Sequence, residues 1–502
     1  MKKLFCATYE GINARIIDVE STLTKGLPSF SVSGNFTNSV DLKERVKSAL
    51  LTNKFKFPPK RISILLSPSD IPNKNGSHFD LSIALLIILN DKKVNLDEWF
   101  VFGELGLDGK VKENIYLYPL LLSLANQKLI NKAIVPFESL NKLSKIPNVS
   151  FFGVRNLKEA QDILLNQLRY KVNIENKDIE YPYYEIDNNK FYYTKEYKED
   201  FVDVKGQIVA KRAALLSSTG FHNIIFEGSP GCGKSMIASR MRYILPPMTQ
   251  YEILDSAKLD ILDGKEPAFK PHRRMSIVHH TSTSASVFGG GSFKAKIGEV
   301  GLAHNGVLFF DELPYFSKNI LEAMREPMQD GKIRISRVNS KVEYDASFLF
   351  IGAMNPCPCG NLLDDTKECR CNEIEIQRYK NKLSEPFLDR IDINVVMQNI
   401  SFDDTASLSS LEMHRMVVQA HRFLKKRGQI NFNAKMSDEE VEKFCIMDNE
   451  AQSALDTAIN RFSLSFRSIK KIQKVARTIA DLVGSELIKK EHLLEALSYR
   501  RR

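Results

Sequence analysis

The octapeptide Gly228-Ser229-Pro230-Gly231-Cys232-Gly233-Lys234-Ser235 has the spacing G-x-x-x-x-G-K-S and decides the fold. It follows a strand-like run, residues 223–226, and precedes a helix-competent segment, residues 236–245. Glycines allow such a loop to curl until its backbone N–H groups converge on phosphate oxygens, and the following helix adds its positive N-terminal end. In this pattern Lys234 reaches the β- and γ-phosphates of a nucleotide and Ser235 ligates magnesium. The octapeptide therefore predicts a nucleotide phosphate site; a glycine-rich structural turn is the alternative.

Two carboxylates follow an apolar strand further along the chain. Residues 306–310 lead directly into Asp311 and Glu312. At the carboxyl end of the strand, Asp311 would hold magnesium, and Glu312 beside it would polarise the attacking water for in-line phosphoryl transfer. On its own, this run could equally be a buried strand that polar residues follow. Its pairing with the phosphate loop favours the catalytic role.

A third apolar strand, residues 347–354, ends at Asn355, which Pro356 follows. The strand ends of a parallel sheet gather at one edge, where ligands bind. We therefore predict that Asn355 lies beside the γ-phosphate and orients the water together with Glu312. The alternative is an asparagine that caps a turn before the proline.

The pattern of the sequence divides the chain into four segments. Residues 1–168 combine strand-like and helix-like runs, as in an α+β domain, and residues 169–203 form a linker rich in Asn, Glu, Asp, Lys and Tyr. Residues 204–400 alternate strands with helices, the pattern of a parallel sheet covered by helices. Residues 401–502 are helical throughout. The tyrosines leave open whether the linker is disordered or docks on a neighbouring surface.

The 502 residues are 43% hydrophobic and 26% charged, as in globular proteins. The longest apolar stretches are far shorter than the ~20 residues of a membrane span, and no signal-peptide core develops after the first residues. We therefore expect a cytoplasmic protein that does not contact a membrane. Lys and Arg exceed Asp and Glu by 71 − 61 = 10, which favours a polyanionic partner without identifying one.

Together these motifs resemble the magnesium-chelatase-like AAA+ ATPases of the ComM/YifB family, and the resemblance spans nearly the whole chain. Further shared segments are Val278-His279-His280-Thr281, Gly289-Gly290-Gly291, Ile297-Gly298-Glu299-Val300, Leu302-Ala303-His304, Asn355-Pro356-Cys357-Pro358-Cys359-Gly360 and Leu388-Asp389-Arg390-Ile391-Asp392. The resemblance implies an α/β fold, a P-loop AAA+ parallel sheet with a C-terminal helical lid, preceded by an α+β Lon-protease-like domain. It also implies ATP and Mg²⁺ as cofactors and a homo-hexameric ring.

Two arginines take their roles from this resemblance. Arg390 would be the arginine finger that reaches the neighbouring subunit's nucleotide, and Arg467, in Leu464-Ser465-Phe466-Arg467, would be the sensor 2 arginine. A guanidinium supplied by a neighbour neutralises charge that grows on the γ-phosphate and couples hydrolysis to the subunit boundary. Without the resemblance, a surface salt bridge would explain either residue.

Four of the seven cysteines lie within fifteen residues, as two C-x-C pairs: Cys357, Cys359, Cys369 and Cys371. Four thiolates in two close pairs can complete a tetrahedral zinc site and staple the loop between them. Because protein atoms would fill all four positions, such a zinc would be structural. Reduced thiols and a redox switch are the alternatives.

The N-terminal domain is similar to the Lon-protease-like domain of the same family, but it lacks the protease residues. Lon-type chemistry requires a serine nucleophile and a lysine that removes its proton. Matching the segments places His78 where the serine would be and Tyr118 where the lysine would be, and the adjacent Ser77 has no matching base. We therefore expect this domain to support ring assembly or to hold a substrate rather than to cleave peptides.

Two basic elements are candidate DNA contacts. Residues 334–344 indicate a β-hairpin with Arg337 and Lys341 beside its tip. In ring motors of the resembled branch such a hairpin points into the central pore, where cations track a phosphodiester strand. The last helices carry four cations on one face, Lys470, Lys471, Lys474 and Arg477. Solvated, non-binding surfaces are the alternative for both elements.

The resemblance therefore implies a hexameric, ATP-driven motor on single-stranded or branched DNA. Its activity would be branch migration, a helicase reaction, during recombination of incoming DNA in natural transformation. The alternative is a ring of the same kind that remodels a protein partner or serves as a magnesium-chelatase-type motor subunit.

Overall fold

The structure, a computed structural model, describes residues 2–10, 13–35, 39–71, 74, 76–165, 179–290, 296–336, 341–364, 366–399, 405 and 408–500. The chain divides into two compact units. The first comprises Met1–Glu180, Ala257–Ala268 and Val338–Val342, and the second comprises Tyr181–Ser256, Phe269–Arg337 and Glu343–Arg502. Among the described residues, no helix is both long enough and apolar enough to cross a membrane.

The N-terminal 165 residues form a mixed α+β domain. The strands are β1 Lys2–Glu10, β2 Asn13–Thr24, β3 Ser29–Ser33, β4 Arg61–Ser67, β5 Phe100–Val101, β6 Glu104–Leu105, β7 Val111–Lys112, β8 Lys132–Pro136 and β9 Ser150–Val154. The helices are α1 Ser39–Thr52, α2 Asp80–Ile88, α3 Leu117–Asn126, α4 Leu140–Leu143 and α5 Leu157–Leu165. One sheet has the order β3-β4-β2-β1-β5-β8-β9, with β1–β2 and β2–β4 antiparallel. Because α2 is apolar on every side it lies in the core. The α+β prediction is confirmed.

The matched protease positions of this domain do not form a serine–lysine pair among the described residues. The Ser77 hydroxyl donates to the Glu104 carboxylate, whereas the Lys74 ammonium donates to two backbone carbonyl oxygens at 2.7 and 2.8 Å. Tyr118 is buried and His78 is half-buried. A serine nucleophile needs a base within hydrogen-bond reach, so these contacts agree with the expectation of a non-proteolytic domain.

The remaining strands are β10 Tyr183–Ile186, β11 Asn189–Tyr192, β12 Ile224–Glu227, β13 Met248–Thr249, β14 Met275–Val278, β15 Gly289–Gly290, β16 Lys296–Ile297, β17 Val307–Phe310, β18 Lys332–Ser336, β19 Lys341–Asp345, β20 Leu349–Met354 and β21 Ile393–Val396. The remaining helices are α6 Ile208–Gly220, α7 Lys234–Met241, α8 Gln250–Leu262, α9 Ser284–Phe288, α10 Glu299–Leu302, α11 Lys318–Ala323, α12 Arg325–Asp330, α13 Glu373–Lys380, α14 Glu385–Leu388, α15 Ser410–Lys426, α16 Asp438–Phe444, α17 Asn449–Phe462, α18 Phe466–Leu482 and α19 Lys490–Ser498.

A five-stranded parallel sheet is the core of the second unit. Its order is β14-β17-β20-β12-β21, and every adjacent pair is parallel. Strands β17 and β20 are buried throughout, as expected for apolar strands covered on both faces. The carboxyl ends of β12, β17 and β20 therefore meet at one edge, as the sequence predicts. The fold is the P-loop AAA+ sheet with helices after it.

The C-terminal helices share a hydrophobic core with this sheet. In α18, Ile472, Val475 and Ile479 are buried and belong to the same apolar cluster as residues of β12 and β21. Their spacing of three and four residues places them on one helix face. The predicted helical lid is therefore packed directly onto the sheet.

The described part of the predicted linker, residues 179–203, is folded. Strands β10 and β11 pair with each other, and β11 pairs with β13. The Tyr184 hydroxyl contacts His421 Nδ1, and the Tyr197 hydroxyl lies 2.9 Å from His414 Nδ1; both histidines belong to α15. Burial lowers the pKa of His414 to about 4 and the pKa of His421 well below its usual value. Neutral imidazoles can accept hydrogen bonds from the tyrosines, so docking describes this part of the segment.

The basic face of α18 is not a solvated surface. Lys471 Nζ donates to the Ile391 carbonyl oxygen at 3.0 Å, and Lys474 Nζ donates to the Met436 carbonyl oxygen at 2.6 Å. Arg477, which follows on the same helix, is buried and paired with Asp481. The ammonium groups of Lys471 and Lys474 therefore make intramolecular hydrogen bonds, and DNA contacts from this face stay a prediction.

Candidate active site

The phosphate loop lies between β12 and α7, at the carboxyl edge of the parallel sheet. Gly231 and Gly233 have φ angles of 84° and 95°, a region that other residues rarely adopt. An added Cβ at either position would meet no atom within 4 Å, so backbone conformation rather than space requires glycine. The Ser229 hydroxyl oxygen is buried without a partner among the described residues. The loop thus has the shape and the open polar group that a phosphate ligand requires.

Lys234 joins this loop to the third strand end. Its ammonium donates to the carbonyl oxygens of Gly228 at 2.6 Å and Ser229 at 2.9 Å, and to Asn355 Oδ1 at 3.0 Å. Burial lowers the pKa of Lys234. Two predicted site residues that are 121 positions apart in sequence therefore meet at one ammonium group.

Ser235 and Asp311 also meet. Ser235 Oγ donates to Asp311 Oδ2 at 2.9 Å, and the Glu312 backbone N–H donates to Asp311 Oδ1 at 2.9 Å. A hydroxyl and a carboxylate oxygen beside a phosphate loop are the ligand types that Mg²⁺ takes in nucleotide sites. Because these two oxygens already lie together, Ser235 and Asp311 fit a magnesium ion.

His280 is a neighbour of the site that sequence reasoning did not assign. It lies two residues after β14, and its Nδ1 is 3.1 Å from Glu312 Oε2. The segment that follows β14 therefore contacts the carboxylate of Glu312, the predicted base. The sequence contains a signal for His280, because this residue follows an apolar strand just as Asp311 does. The sequence does not show the order of the strands in the sheet.

Arg390 lies within electrostatic reach of Arg467, and its side chain bonds to residues outside the phosphate loop. Arg390 Nη1 donates to the Pro386 carbonyl oxygen at 2.5 Å and Nη2 donates to Gln329 Oε1 at 2.7 Å. Burial, with the nearby charges of Arg467 and Arg325, lowers the pKa of Arg390. Arg390 lines a cavity with residues of α9, α11, α12 and β18. No residue of the phosphate loop, all of which is described, lines that cavity.

Asn223 connects these two places, and sequence reasoning missed it. Its side-chain Nδ2 donates to the Arg390 carbonyl oxygen at 2.8 Å, and its Oδ1 accepts from the Phe350 backbone N–H at 3.1 Å. Its own backbone N–H donates to Asp392 Oδ2 at 2.9 Å. The residue that precedes β12 therefore fastens the Arg390 segment to the strand that carries the phosphate loop. No motif marks such a bridge in the sequence.

The four clustered cysteines converge, as predicted. Cys357 Sγ lies 3.4 Å from Cys359 Sγ and 3.7 Å from Cys369 Sγ, and Cys359 and Cys369 are 3.6 Å apart. One sulfur from each of the four cysteines, Cys371 included, lies within 4.8 Å of all the others. These separations exceed the ~2.05 Å of a disulfide bond. The cluster can hold a metal ion.

The predicted DNA-binding hairpin is described only at its base. Strands β18 and β19 form a two-stranded sheet. Lys341 begins β19, but the placement of its side chain is not described, and Arg337 lies outside the described residues. At the base, Glu343 pairs with Lys332 at 2.5 Å and with Arg334 at 3.0 Å. Charge at the base is therefore neutralised internally.

Comparisons with known proteins agree with this architecture. Three family descriptions match the chain: "Magnesium chelatase, subunit ChlI" at residues 200–405, "Magnesium chelatase, subunit ChlI C-terminal" at 407–500 and "Subunit ChlI of Mg-chelatase" at 19–139. The competence protein ComM of Haemophilus influenzae is 33% identical over 98% of this chain and 95% of its own. The YifB protein of Salmonella typhimurium is 33% identical over the same shares. A shorter match, 24% identical over 30% of this chain, is to the magnesium-chelatase 67 kDa subunit of Heliobacterium mobile.

Proposed function

This chain belongs to the magnesium-chelatase-like AAA+ family of the ComM and YifB proteins, and from that membership we propose that it is an ATP hydrolase whose hexameric ring moves branched DNA. The observation that carries the proposal is the assembly of Lys234, Ser235, Asp311, Glu312 and Asn355 at one sheet edge. This arrangement of residues is typical of sites that catalyse phosphoryl transfer.

Each side chain has a defined task in hydrolysis. The loop N–H groups and Lys234 hold the triphosphate, and Ser235 with Asp311 would hold Mg²⁺, which when bound offsets phosphate charge. Glu312 accepts a proton from the attacking water. The Asn355 side chain, held by Lys234, orients that water.

The contacts of Arg390 support the proposal of a ring. Its described hydrogen-bond partners are Pro386 and Gln329, away from the phosphate loop of its own chain. An arginine that contributes to hydrolysis from there must act on a neighbouring subunit's nucleotide. Arg467, whose charge acts on Arg390, would act at the same subunit boundary.

Three observations support DNA as the client. A relative that matches this chain over nearly its full length is named a competence protein, and competence is the uptake of DNA. The chain has a net charge of +10, which favours a polyanion. Lys332 and Arg334 at the base of the hairpin are already paired with Glu343, whereas the sequence predicts Arg337 and Lys341 beside its tip. We therefore assign strand contact to the tip of the hairpin.

A protein client, or a role as a chelatase-type motor subunit, is the second candidate. It is favoured by the names of the matching families. The match to a chelatase 67 kDa subunit, however, covers only 30% of this chain and 27% of that protein. The DNA motor is the proposal that uses the full-length relatives.

For the four cysteines we propose a structural zinc ion. Zinc–thiolate bonds of ~2.3 Å place the sulfurs of a tetrahedral site about 3.8 Å apart. The sulfur separations among Cys357, Cys359 and Cys369 lie between 3.4 and 3.7 Å. The cluster is therefore close to the size that tetrahedral zinc requires.

The test is ATP-dependent movement of a DNA branch. A synthetic four-way junction with one fluorescent strand is incubated with the protein and ATP, and the products are separated by electrophoresis. We expect dissociation into duplex arms with ATP and none with Glu312→Gln. Raising the salt should suppress the reaction steeply, because phosphate contacts weaken with ionic strength. An intact junction in the presence of hydrolysed ATP would move the search to a protein client.

A further inference from the structure

The loop that carries the four cysteines is attached to the nucleotide site at both of its ends. Asn355, which accepts the Lys234 hydrogen bond, lies two residues before the buried Cys357. Cys371 is followed by Asn372, whose side chain caps the N-terminus of α13. At the other end of α13, Lys380 Nζ lies 3.3 Å from Glu227 Oε1, the residue before the phosphate loop.

The middle of the same loop contacts the phosphate loop directly. Gly360 has a φ of +84°, and a Cβ built there would lie 2.6 Å from Pro230 Cδ and 2.7 Å from Pro230 Cγ. Such a separation forces a shift of one of the two loops. Gly360 is therefore needed for close contact as well as for its backbone conformation. Its backbone N–H donates to the Cys357 carbonyl oxygen at 3.1 Å, so the contact point is part of the cysteine turn.

We propose that a zinc ion bound by Cys357, Cys359, Cys369 and Cys371 positions Asn355 beside the phosphate loop, so that the rate of ATP hydrolysis depends on the metal. The inference rests on the proposed ATPase activity. Zinc would displace the thiol protons and join the two C-x-C pairs across the loop. Without zinc, hydrogen bonds such as that from Asn399 Nδ2 to Asp364 Oδ1 at 3.1 Å would remain, but the metal bonds between the two C-x-C pairs would be lost.

The proposal predicts a particular kinetic effect. The loop glycines and Lys234 do not belong to the cysteine segment, so nucleotide binding should persist without zinc. Orientation of the attacking water by Asn355 should be lost without zinc. Misplacing a positioned group by about 1 Å costs up to about 100-fold in rate. We therefore expect zinc removal to lower kcat about 10- to 100-fold, with a much smaller change in KM.

The first experiment measures metal and activity in the same full-length protein. Zinc content is determined by mass spectrometry for the wild type, for the double variant Cys359→Ser/Cys371→Ser, and for Cys445→Ala, a cysteine outside the cluster. We expect one zinc per chain in the wild type and Cys445→Ala and none in the double variant. Reconstitution of stripped wild type with Co²⁺ should give the thiolate charge-transfer and d–d absorption bands of tetrahedral cobalt.

The second experiment separates positioning from folding. Wild type is treated with a zinc-selective chelator in excess Mg²⁺, and kcat, KM and binding of a fluorescent ATP analogue are measured before and after Zn²⁺ is restored. A reversible loss of kcat with retained binding supports the proposal. Gly360→Ala, which keeps all four thiols, should lower kcat while zinc content stays at one.

Three results would overturn the inference. Wild type without zinc and without a cobalt spectrum contradicts the site. Complete loss of zinc with unchanged kcat contradicts the positioning role and leaves a purely structural metal. Loss of zinc that abolishes nucleotide binding as strongly as kcat contradicts the kinetic split. A zinc-loaded protein that hydrolyses no ATP refutes the proposed function instead, and the stoichiometry distinguishes that case.

Discussion

Glu312 lies two residues after the end of β17, and its Oε2 is 3.1 Å from His280 Nδ1. We expect Glu312→Gln to lower kcat for ATP hydrolysis about 100-fold or more, because the amide has the same size but cannot take a proton from water. Binding of a fluorescent ATP analogue should stay within a few-fold of the wild type. Phosphate release measures the rate, and Glu439→Gln, an exposed glutamate in the first turn of α16, is the matched control. Equal loss of binding and rate would contradict the role as base.

At the same scale, the sequence predicts those site residues that belong to a local pattern. Lys234 and Ser235 are recognisable within eight residues, and Asp311 needs only the strand before it. His280 and Asn223 escape because their roles depend on which strands are adjacent. Their partners, Glu312 and Arg390, are distant in sequence, and single-sequence patterns contain no information about such contacts.

At the scale of elements, the Tyr184–His421 pair joins β10 to α15. Tyr184→Phe removes the hydroxyl that contacts His421 and leaves a buried imidazole nitrogen without its donor. We expect the free energy of unfolding to fall by about 1–3 kcal/mol. Urea denaturation, monitored by far-UV circular dichroism, measures this free energy of unfolding. Tyr183→Phe, an exposed neighbour on the same strand, is the control, and equal effects of the two substitutions would contradict the buried contact.

His222, between α6 and β12, should make the second unit sensitive to acid. Burial lowers its pKa from 6.5 to about 4, so the unfolded state takes up a proton at a pH where the folded state does not. The free energy of unfolding is therefore highest above pH 6.5 and falls as the pH drops towards 4, by about 2 kcal/mol between pH 7 and pH 5 for this residue.

Denaturation of the wild type and His222→Gln at pH 7 and pH 5 tests this expectation. The variant should be less stable at pH 7, because Thr478 loses one of its hydrogen-bond partners, but the drop between the two pH values should be smaller by about 2 kcal/mol. Parallel pH profiles of the two proteins would show that His222 is protonated equally in the folded and unfolded states.

Elements with regular hydrophobic spacing could be predicted from the sequence, and others could not. Strands β12, β17 and β20 and helix α18 are apolar runs or stripes, and the structure contains them. The segment around Tyr184 resembles a linker because its composition is polar, and its pairing with β13 is a contact between segments distant in sequence. The intramolecular hydrogen bonds of Lys471 and Lys474 on α18 could not be predicted for the same reason, because the carbonyl oxygens that accept them are distant in sequence.

At the scale of the whole molecule, the claim of a ring rests on Arg390 serving a neighbour. Arg390→Ala alone should lower hydrolysis about 10³-fold or more. Mixing it equally with Glu312→Gln should restore activity, because about a quarter of the interfaces would pair an intact base with an intact arginine in a random ring. Phosphate release after subunit exchange measures this. If Arg390 served its own subunit, both kinds of chain would be inactive and the mixture would stay inactive.

The rate of ATP hydrolysis with and without a synthetic four-way DNA junction tests the central claim most directly. We expect the junction to raise the hydrolysis rate of the wild type well above that seen with an equal mass of linear duplex. We expect Glu312→Gln to hydrolyse ATP neither with nor without the junction. A wild-type rate that is the same with junction, duplex or no DNA would contradict a motor that acts on branched DNA.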